Sequence, residues 1–365
     1  MSKIFGTLGF NDTDRAFIEK AGQRVVYDLI QQYMAQWNAE VNAAMSVFVE
    51  GTTGDYKLRY KLPSSGYMQL LADDARPGSV KATGGWDVAY PLRSYGDAIS
   101  VGWVTKAYMT PAEMERNILT VQADALNTLR FEMLKAMFNN TERTFIDRIQ
   151  GTLLIEPFAN GDANVYPPVL GSVTEATENH YLGSAYTAAS ISDTNDPIVT
   201  LTAELEEHFG APTGGSNIAV FCNNAQTAKI MGLTAFTELG ARFINLGANV
   251  NNVTGVPPEL LANNAFKVLG YHAAGAWIAE WRWVPAGYLL AVHLDAPKPL
   301  MKRVDPPDVG LGNGDLMLVA QDMDHPIETS FYSLRFGFGV GNRLNGVVMD
   351  LSNADSDWDT PAAYA

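Results

Sequence analysis

Residues 110–149, TPAEMERNILTVQADALNTLRFEMLKAMFNNTERTFIDRI, read as one long helix, and the fold turns on what precedes it. Thr110-Pro111-Ala112-Glu113 has the form of a capping box. The Thr110 side chain is placed to accept from the free N–H at Glu113 and the Glu113 carboxylate to reach back. Pro111 takes the first helical position, where its missing N–H costs nothing. Met114, Ile118, Val121, Ala125, Leu129, Met133, Ala136 and Phe138 then recur at three- and four-residue intervals, with Glu115, Arg116, Asp124, Arg130, Glu132 and Lys135 on the other faces. After Pro111, neither Pro nor Gly interrupts the run before Gly151. The spacing predicts a helix from Pro111 to about Ile149, roughly 55–60 Å long at 1.5 Å per residue, against a mean of about 11–12 residues.

Upstream, residues 45–108 read as strands and turns. In Tyr56-Lys57-Leu58-Arg59-Tyr60-Lys61-Leu62 the apolar and aromatic residues share one face and the three cations share the other, the period of two that a half-buried strand requires. Val88, Tyr90 and Leu92 alternate in the same way, as do Ile99, Val101 and Trp103. Between the outgoing and returning strands lies a turn-rich tip, with Pro63-Ser64-Ser65-Gly66, Arg76-Pro77-Gly78 and Gly84-Gly85. A two-stranded ribbon is at best marginally stable alone in water, so it needs a second surface, either its own domain or another copy of the chain. A ribbon feeding an outsized helix suits reaching across to neighbouring copies better than enclosing an enzyme pocket. Lys57, Arg59, Lys61, Arg76 and Arg93 are the candidate intersubunit contacts, because a neighbour's acidic surface complements a basic face on an acidic protein. The plainer alternative is a hairpin folded onto its own core with a solvated charged face.

The chain has 365 residues, enough for one large domain or two or three intertwined ones. Charged residues make up only 18%, while 16 Phe, 15 Tyr and 7 Trp favour extensive burial, including burial between subunits. With 25 Lys and Arg against 40 Asp and Glu, the net charge is −15. That argues against general affinity for nucleic acid, which needs a basic footprint. It leaves open an inner surface that DNA packs against without adhering. The single cysteine, Cys222, lies in the apolar run Ile218-Ala219-Val220-Phe221-Cys222 and reads as a core thiol, consistent with folding in a reducing compartment. No signal-peptide pattern or membrane-length apolar run is present.

Elsewhere a helical pattern runs from about Asp14 through Phe17, Ile18, Val25, Leu29, Tyr33 and Met34 to Trp37. Residues 151–194 are irregular and rich in small polar residues and turn formers. Asp196-Pro197 caps a helix whose apolar stripe is Ile198, Leu201, Leu205 and Phe209. A buried strand at 218–222 and a short helix near 225–231 follow, then strands near 266–269, 276–280, 288–293, 316–320 and 329–340. The order is α+β, without the regular alternation of a doubly wound sheet. The small, acidic tail after Leu351 reads as mobile.

The chemical motifs are few. His180, His208, His272, His293 and His325 show no ligand spacing and read as individually satisfied or exposed. Asp322-Met323-Asp324-His325 lacks the further acidic positions and the glycine of a calcium loop. Asp73-Asp74 and Glu206-Glu207 are sequence neighbours, a poor arrangement for an acid/base dyad. Gly337, Gly339 and Gly341 lie in an aromatic strand with no helix after it, so they suit close backbone approach better than phosphate binding. No Walker loop or nucleophile elbow occurs. The reading is a non-enzymatic chain with no cofactor and no metal.

The order of elements, with Val268-Leu269-Gly270-Tyr271, Trp281-Arg282-Trp283-Val284-Pro285-Ala286-Gly287-Tyr288 and Arg335-Phe336-Gly337-Phe338-Gly339-Val340, resembles the major capsid proteins of tailed bacteriophages, the Hong Kong 97 fold shared with encapsulin shells. The resemblance implies an α+β fold with an N-terminal arm at 1–47 and an extended β loop, the E-loop, at 48–108. It places a peripheral domain at 109–195 and 326–365, with a spine helix at 110–149, and an axial domain at 196–325. It implies self-assembly into hexamers and pentamers of an icosahedral shell enclosing double-stranded DNA in a virion, built in the host cytoplasm with no membrane. Portal, scaffolding and cement or decoration proteins are the implied partners. With the ribbon reached within about fifty residues, scaffolding would come from a separate protein or be absent. Some relatives join subunits through a Lys–Asn isopeptide bond. Here Lys57, Lys61 and Lys81 are present, but no partner Asn or Glu is marked. The alternatives are an encapsulin-type compartment and, from another class, a soluble carbohydrate-binding or hydrolytic protein.

Overall fold

In the computed structural model, which describes residues 23–60, 68–71, 73, 76–78, 85–209, 217–238, 256–257, 260, 266–312, 314–322 and 327–365, the long helix stops at Phe138. The helices are α1 (Gln23–Met45), α2 (Trp103–Tyr108), α3 (Pro111–Phe138), α4 (Pro197–Phe209) and α5 (Asn224–Met231). The strands are β1 (Val49–Thr53), β2 (Lys57–Tyr60), β3 (Trp86–Ala89), β4 (Arg93–Gly102), β5 (Arg143–Asp147), β6 (Gly151–Ile155), β7 (Tyr181–Gly183) and β8 (Ile218–Cys222). They continue with β9 (Phe236–Glu238), β10 (Lys267–His272), β11 (Ala276–Glu280), β12 (Tyr288–His293), β13 (Leu300–Arg303), β14 (Met317–Asp322), β15 (Ile327–Val340) and β16 (Val347–Asp350). The fold is α+β, as expected from the sequence.

Helix α3 has 28 residues, about 42 Å at 1.5 Å per residue. It starts where the capping box places it, with the Glu113 carboxylate accepting the Thr110 N–H at 2.8 Å and its hydroxyl at 3.1 Å. The expected end at Ile149 is wrong. The Asn139 side chain accepts from the Thr141 N–H at 2.9 Å and hydroxyl at 2.6 Å and donates to the Tyr364 carbonyl at 2.8 Å. That capping competes with a further helical turn. Thr144, Phe145 and Ile146 then favour a strand. Asp147 accepts from the N–H groups of Ile149 and Gln150 at 2.8 and 3.0 Å, and Gly151 takes a positive φ of 77°, which closes the β5–β6 hairpin. Trp103, expected at the end of a strand, begins α2 instead.

Two compact units divide the chain: residues 1–39, 94–128 and 315–335 form one, and residues 40–93, 129–314 and 336–365 the other. In the first unit β14 pairs antiparallel with β15, from Met317 against Ser333 to Asp322 against Thr329, and β4 also pairs with β15. The Asn38 amide bonds both backbone groups of Leu316 at 3.0 Å, and Val121 and Ala125 of α3 are buried.

The second unit holds a seven-stranded sheet in the order β7-β16-β12-β8-β11-β10-β9. Strands β8 and β12 are buried along their whole length, which explains why each reads as a continuous apolar run. Ile198, Leu201 and Leu205 of α4 pack on Ile218, Val220, Cys222, Leu289 and Ala291. Phe48, Phe221, Phe266 and Trp281 form an aromatic cluster, with centroids 4.9–6.1 Å apart. Strand β13 lies parallel to β1 and antiparallel to residues 337–340 of β15. The sheet includes β7 and β16, which lie outside the 196–325 span. The tail is also docked: Trp358 packs at 5.1 Å from Tyr181 and 6.3 Å from Phe138, and Tyr364 is buried.

Candidate functional site

The ribbon pairs β2 with β3, setting Arg59 opposite Asp87 and Lys57 opposite Ala89. Arg59 donates through Nε and Nη2 to the two Asp87 oxygens at 2.5 and 2.9 Å, and Lys57 Nζ lies 3.0 Å from Oδ2. The Arg59 hydrogen bond, aided by Lys57, holds the Asp87 carboxyl well below the usual carboxylate range. Two of the five expected contact residues therefore already share an in-chain carboxylate. Arg93 is placed apart from them, 3.5 Å from Glu132 and 5.9 Å from the centre of the Phe145 ring. Arg76 is exposed, and Lys61 lies outside the described residues. Among the described residues, Lys57 and Arg59 share Asp87, and Arg93 has a different carboxylate partner.

The opposite ribbon face folds onto its own chain. Leu58 and Tyr60 pack against Trp86, Val88, Tyr90 and Tyr166, and the Tyr60 and Trp86 rings stack at 6.0 Å. The hairpin alternative is thus realised at the ribbon base. Beyond it, Met68 and Leu70 are fully exposed, at 101% and 102%, with Leu71 at 48%. On the β5–β6 hairpin, Ile146 and Ile149 are 77% and 87% exposed. In the first unit Val319 and Phe331 are also exposed. Single exposed apolar residues are ordinary, but neighbours such as these mark surfaces suited to a partner.

Several structural anchors escaped sequence reading. The fully buried Arg343 donates Nε to the Pro157 carbonyl at 2.7 Å and Nη2 to the Phe158 carbonyl at 3.0 Å, Asn160 Oδ1 at 3.3 Å and Asp162 Oδ2 at 2.8 Å. Arg303 pairs with the buried Asp147 at 2.9 Å and donates to the Tyr90 carbonyl at 2.7 Å. Asn345 bonds the backbone of His293 in both directions, at 2.8 and 3.0 Å. The glycines of β15 behave as expected: a Cβ at Gly337 would strike the Pro91 carbonyl, and one at Gly339 would lie 2.6 Å from the Tyr90 ring.

Cys222 is buried, and burial pushes its thiol up to about 12. His272 lies 3.0 Å from Asp196, and His293 Nδ1 accepts from Asp295 and Ala296 at 3.2 Å. His180 Nδ1 meets the Gly346 carbonyl at 3.0 Å. His325 lies outside the described residues. His208 departs from the expectation of an individually satisfied ring, because the fold brings it beside Glu178 and Glu207. A groove of the first unit is lined by Tyr95, Asp97, Asp124, Thr128, Tyr332 and Leu334, among others. It holds two carboxylates but no histidine or cysteine. Among the described residues no helix is long and apolar enough to cross a membrane.

Set against known structures, the chain matches one from Mycobacterium phage Patience over 94% of its own length and 91% of the other's, with a TM-score of 0.67 and 20% identity. The two chains share a fold. Further matches include the capsid of a native GTA particle, with a TM-score of 0.48, 12% identity and 85% and 90% of the two chains covered. The capsid of cyanophage Pam1 matches with a TM-score of 0.48, 13% identity and 84% and 88% coverage. No family model and no curated protein matches the chain.

Proposed function

We propose that this chain is the major capsid protein of a tailed bacteriophage, a structural subunit that forms hexamers and pentamers of an icosahedral shell around double-stranded DNA. The observation that carries this reading is the shared fold with the phage chain across almost the whole length of both. The shape of the ribbon and hairpin supports it, because both present bare apolar side chains at the second unit's surface. Residues 48–108 serve as the E-loop that lies over an adjacent subunit, and α3 stiffens the plate. Residues 1–47 act as the N-terminal arm, 109–195 and 326–365, apart from β7 and β16, as the peripheral domain, and 196–325, together with those two strands, as the axial domain. Portal, scaffolding and cement or decoration proteins are the partners that go with this reading. The acidic balance fits an inner surface that confines DNA without adhering to it. Assembly in the reducing host cytoplasm fits a lone, buried thiol.

The test is electron microscopy of the purified protein under assembly conditions. Closed shells are expected. A monodisperse monomer at every protein and salt concentration tried would overturn the reading. Shells from infected cells that held protein cargo and no DNA would move it to an encapsulin-type compartment.

A further inference from the structure

The last two turns of α4 carry Glu204, Glu207 and His208 at offsets of three and four, which sets them on one helix face. The segment before β7 brings Glu178 to the same place, tied down by the bond from the Gly161 N–H to the Glu178 carbonyl at 2.8 Å and by the Asn160–Asn179 bridge. Donor atoms of Glu178, Glu207 and His208 all fall within 4.8 Å of one another. The His208 side chain is only 3% exposed, yet its Nε2 has no hydrogen-bond partner. It faces Glu207 Oε1 at 3.6 Å and Glu178 Oε1 at 3.9 Å.

Those distances are too long for hydrogen bonds, which need about 2.7–3.2 Å. They are close to the spacing of donors around a shared ion. Ligands about 2.1 Å from a tetrahedral cation stand about 3.4 Å apart. The electrostatics agree. Burial pushes the His208 ring down from its ordinary value. Burial and the neighbouring Glu178 raise Glu207, and burial raises Glu178. Burial, with Glu207 and Glu178 beside it, lifts Glu204 to about 7. Among the described ion pairs of Glu178 and Glu207, His208 is the sole basic partner. A divalent cation would engage the unpartnered His208 Nε2 and both carboxylates together.

We propose that Glu178, Glu207 and His208 form a binding site for a divalent transition-metal cation, best matched by Zn2+, that staples the segment before β7 to the end of α4. One imidazole nitrogen and two carboxylates suit zinc, whereas the imidazole disfavours Mg2+ and Ca2+. The site lies in the second unit, and the proposal stands independently of the capsid reading.

The test is calorimetric titration of Zn2+ into chelator-stripped, full-length protein, with thermal melting alongside. One equivalent should bind and raise the melting temperature, and EDTA should reverse the rise. Glu178→Gln and Glu207→Gln keep side-chain size and should each weaken Zn2+ binding at least tenfold. Asp196→Asn, beside the separate His272, should leave it unchanged. Should the Gln variants fail to fold, Co2+ added to the wild type reads the same site through tetrahedral d–d absorption bands. Undiminished Zn2+ binding in both folded Gln variants would overturn the proposal. So would no binding to the wild type at 100 µM Zn2+ (about 5.5 kcal/mol of affinity by the standard conversion), or binding of Mg2+ as tight as that of Zn2+.

Discussion

Replacing Arg343 with Met should cost the folded protein about 3 kcal/mol, at the low end of the 3–5 kcal/mol typical of breaking a buried ion pair. The guanidinium is fully buried and makes four hydrogen bonds, two of them to the Pro157 and Phe158 carbonyls. Met keeps most of the volume but supplies no donor and loses the guanidinium that lies over the Tyr166 ring. Each carbonyl left unpaired costs about 1–3 kcal/mol. Two effects hold the total down. Asp162 and Glu156, 25% and 17% exposed, regain water, and the desolvation of the guanidinium is no longer incurred. With an unfolding entropy of about 2.1 cal/mol/K per residue and 365 residues, the melting temperature should fall by about 4 °C. Differential scanning calorimetry at pH 7 measures it, with Arg343→Lys alongside. One ammonium cannot serve four spread acceptors, so the Lys variant should fall between Met and wild type. A Met variant melting within 1 °C of wild type would refute the reasoning.

Cys222 should not react with a disulfide reagent in the native protein at pH 8, because its thiol is buried and raised to about 12; in urea one thiol per chain should titrate. Asp147 is pushed up by burial, but hydrogen bonds from Gln150, Ile149 and Arg303 outweigh this and hold it below its ordinary 3.8. Its contribution to stability is therefore present above about pH 4 and lost as the pH falls below that. Asp147→Asn should cost about 3 kcal/mol at pH 7 by stranding the buried Arg303 and should flatten the acid limb of a urea-midpoint-against-pH profile. Gly337→Ala should cost about 1–3 kcal/mol, because its Cβ meets the Pro91 carbonyl. Gly102→Ala, where nothing lies within 4 Å, should be near neutral in the same urea melts.

Much of the fold was written locally. Strands β8, β11 and β12 fall where their apolar runs place them, because a strand buried on both faces needs no polar alternation. Helix α3 begins at its capping box for a similarly local reason. Its end was hidden, because residues 139–149 contain no Gly or Pro and the stop depends on Asn139 finding the Tyr364 carbonyl, 225 residues away in sequence. The tail was misjudged on composition: its acidic residues frame two aromatic anchors, Trp358 and Tyr364, whose partners appear only in three dimensions. Arg343 sits between Gly341 and Gly346, in a run that carries no mark of a buried cation. Glu178 is far in sequence from Glu207 and His208, so no spacing motif joins them.

The ribbon is where sequence and structure differ in consequence. On sequence alone its basic face was the reason to expect a neighbour. In the fold, Asp87 already binds Lys57 and Arg59, leaving one net positive charge on an exposed triad, and exposed pairs are worth little. The apolar tip, with Met68 and Leu70 bare, is the stronger candidate contact, and salt separates the two. Raising ionic strength from 0.1 to 1 M shortens the Debye length from about 10 to 3 Å. Assembly held by the basic face should fall away over that range. Assembly held by apolar burial should persist, and Met68→Asp with Leu70→Asp should abolish it while leaving the monomer's melting temperature unchanged, because neither side chain is buried in the subunit. Light scattering across the salt series reads the first effect and thermal melting of the double variant the second. Shells that dissolve in 1 M salt and survive the double substitution would return the contact to Lys57, Arg59 and their charge.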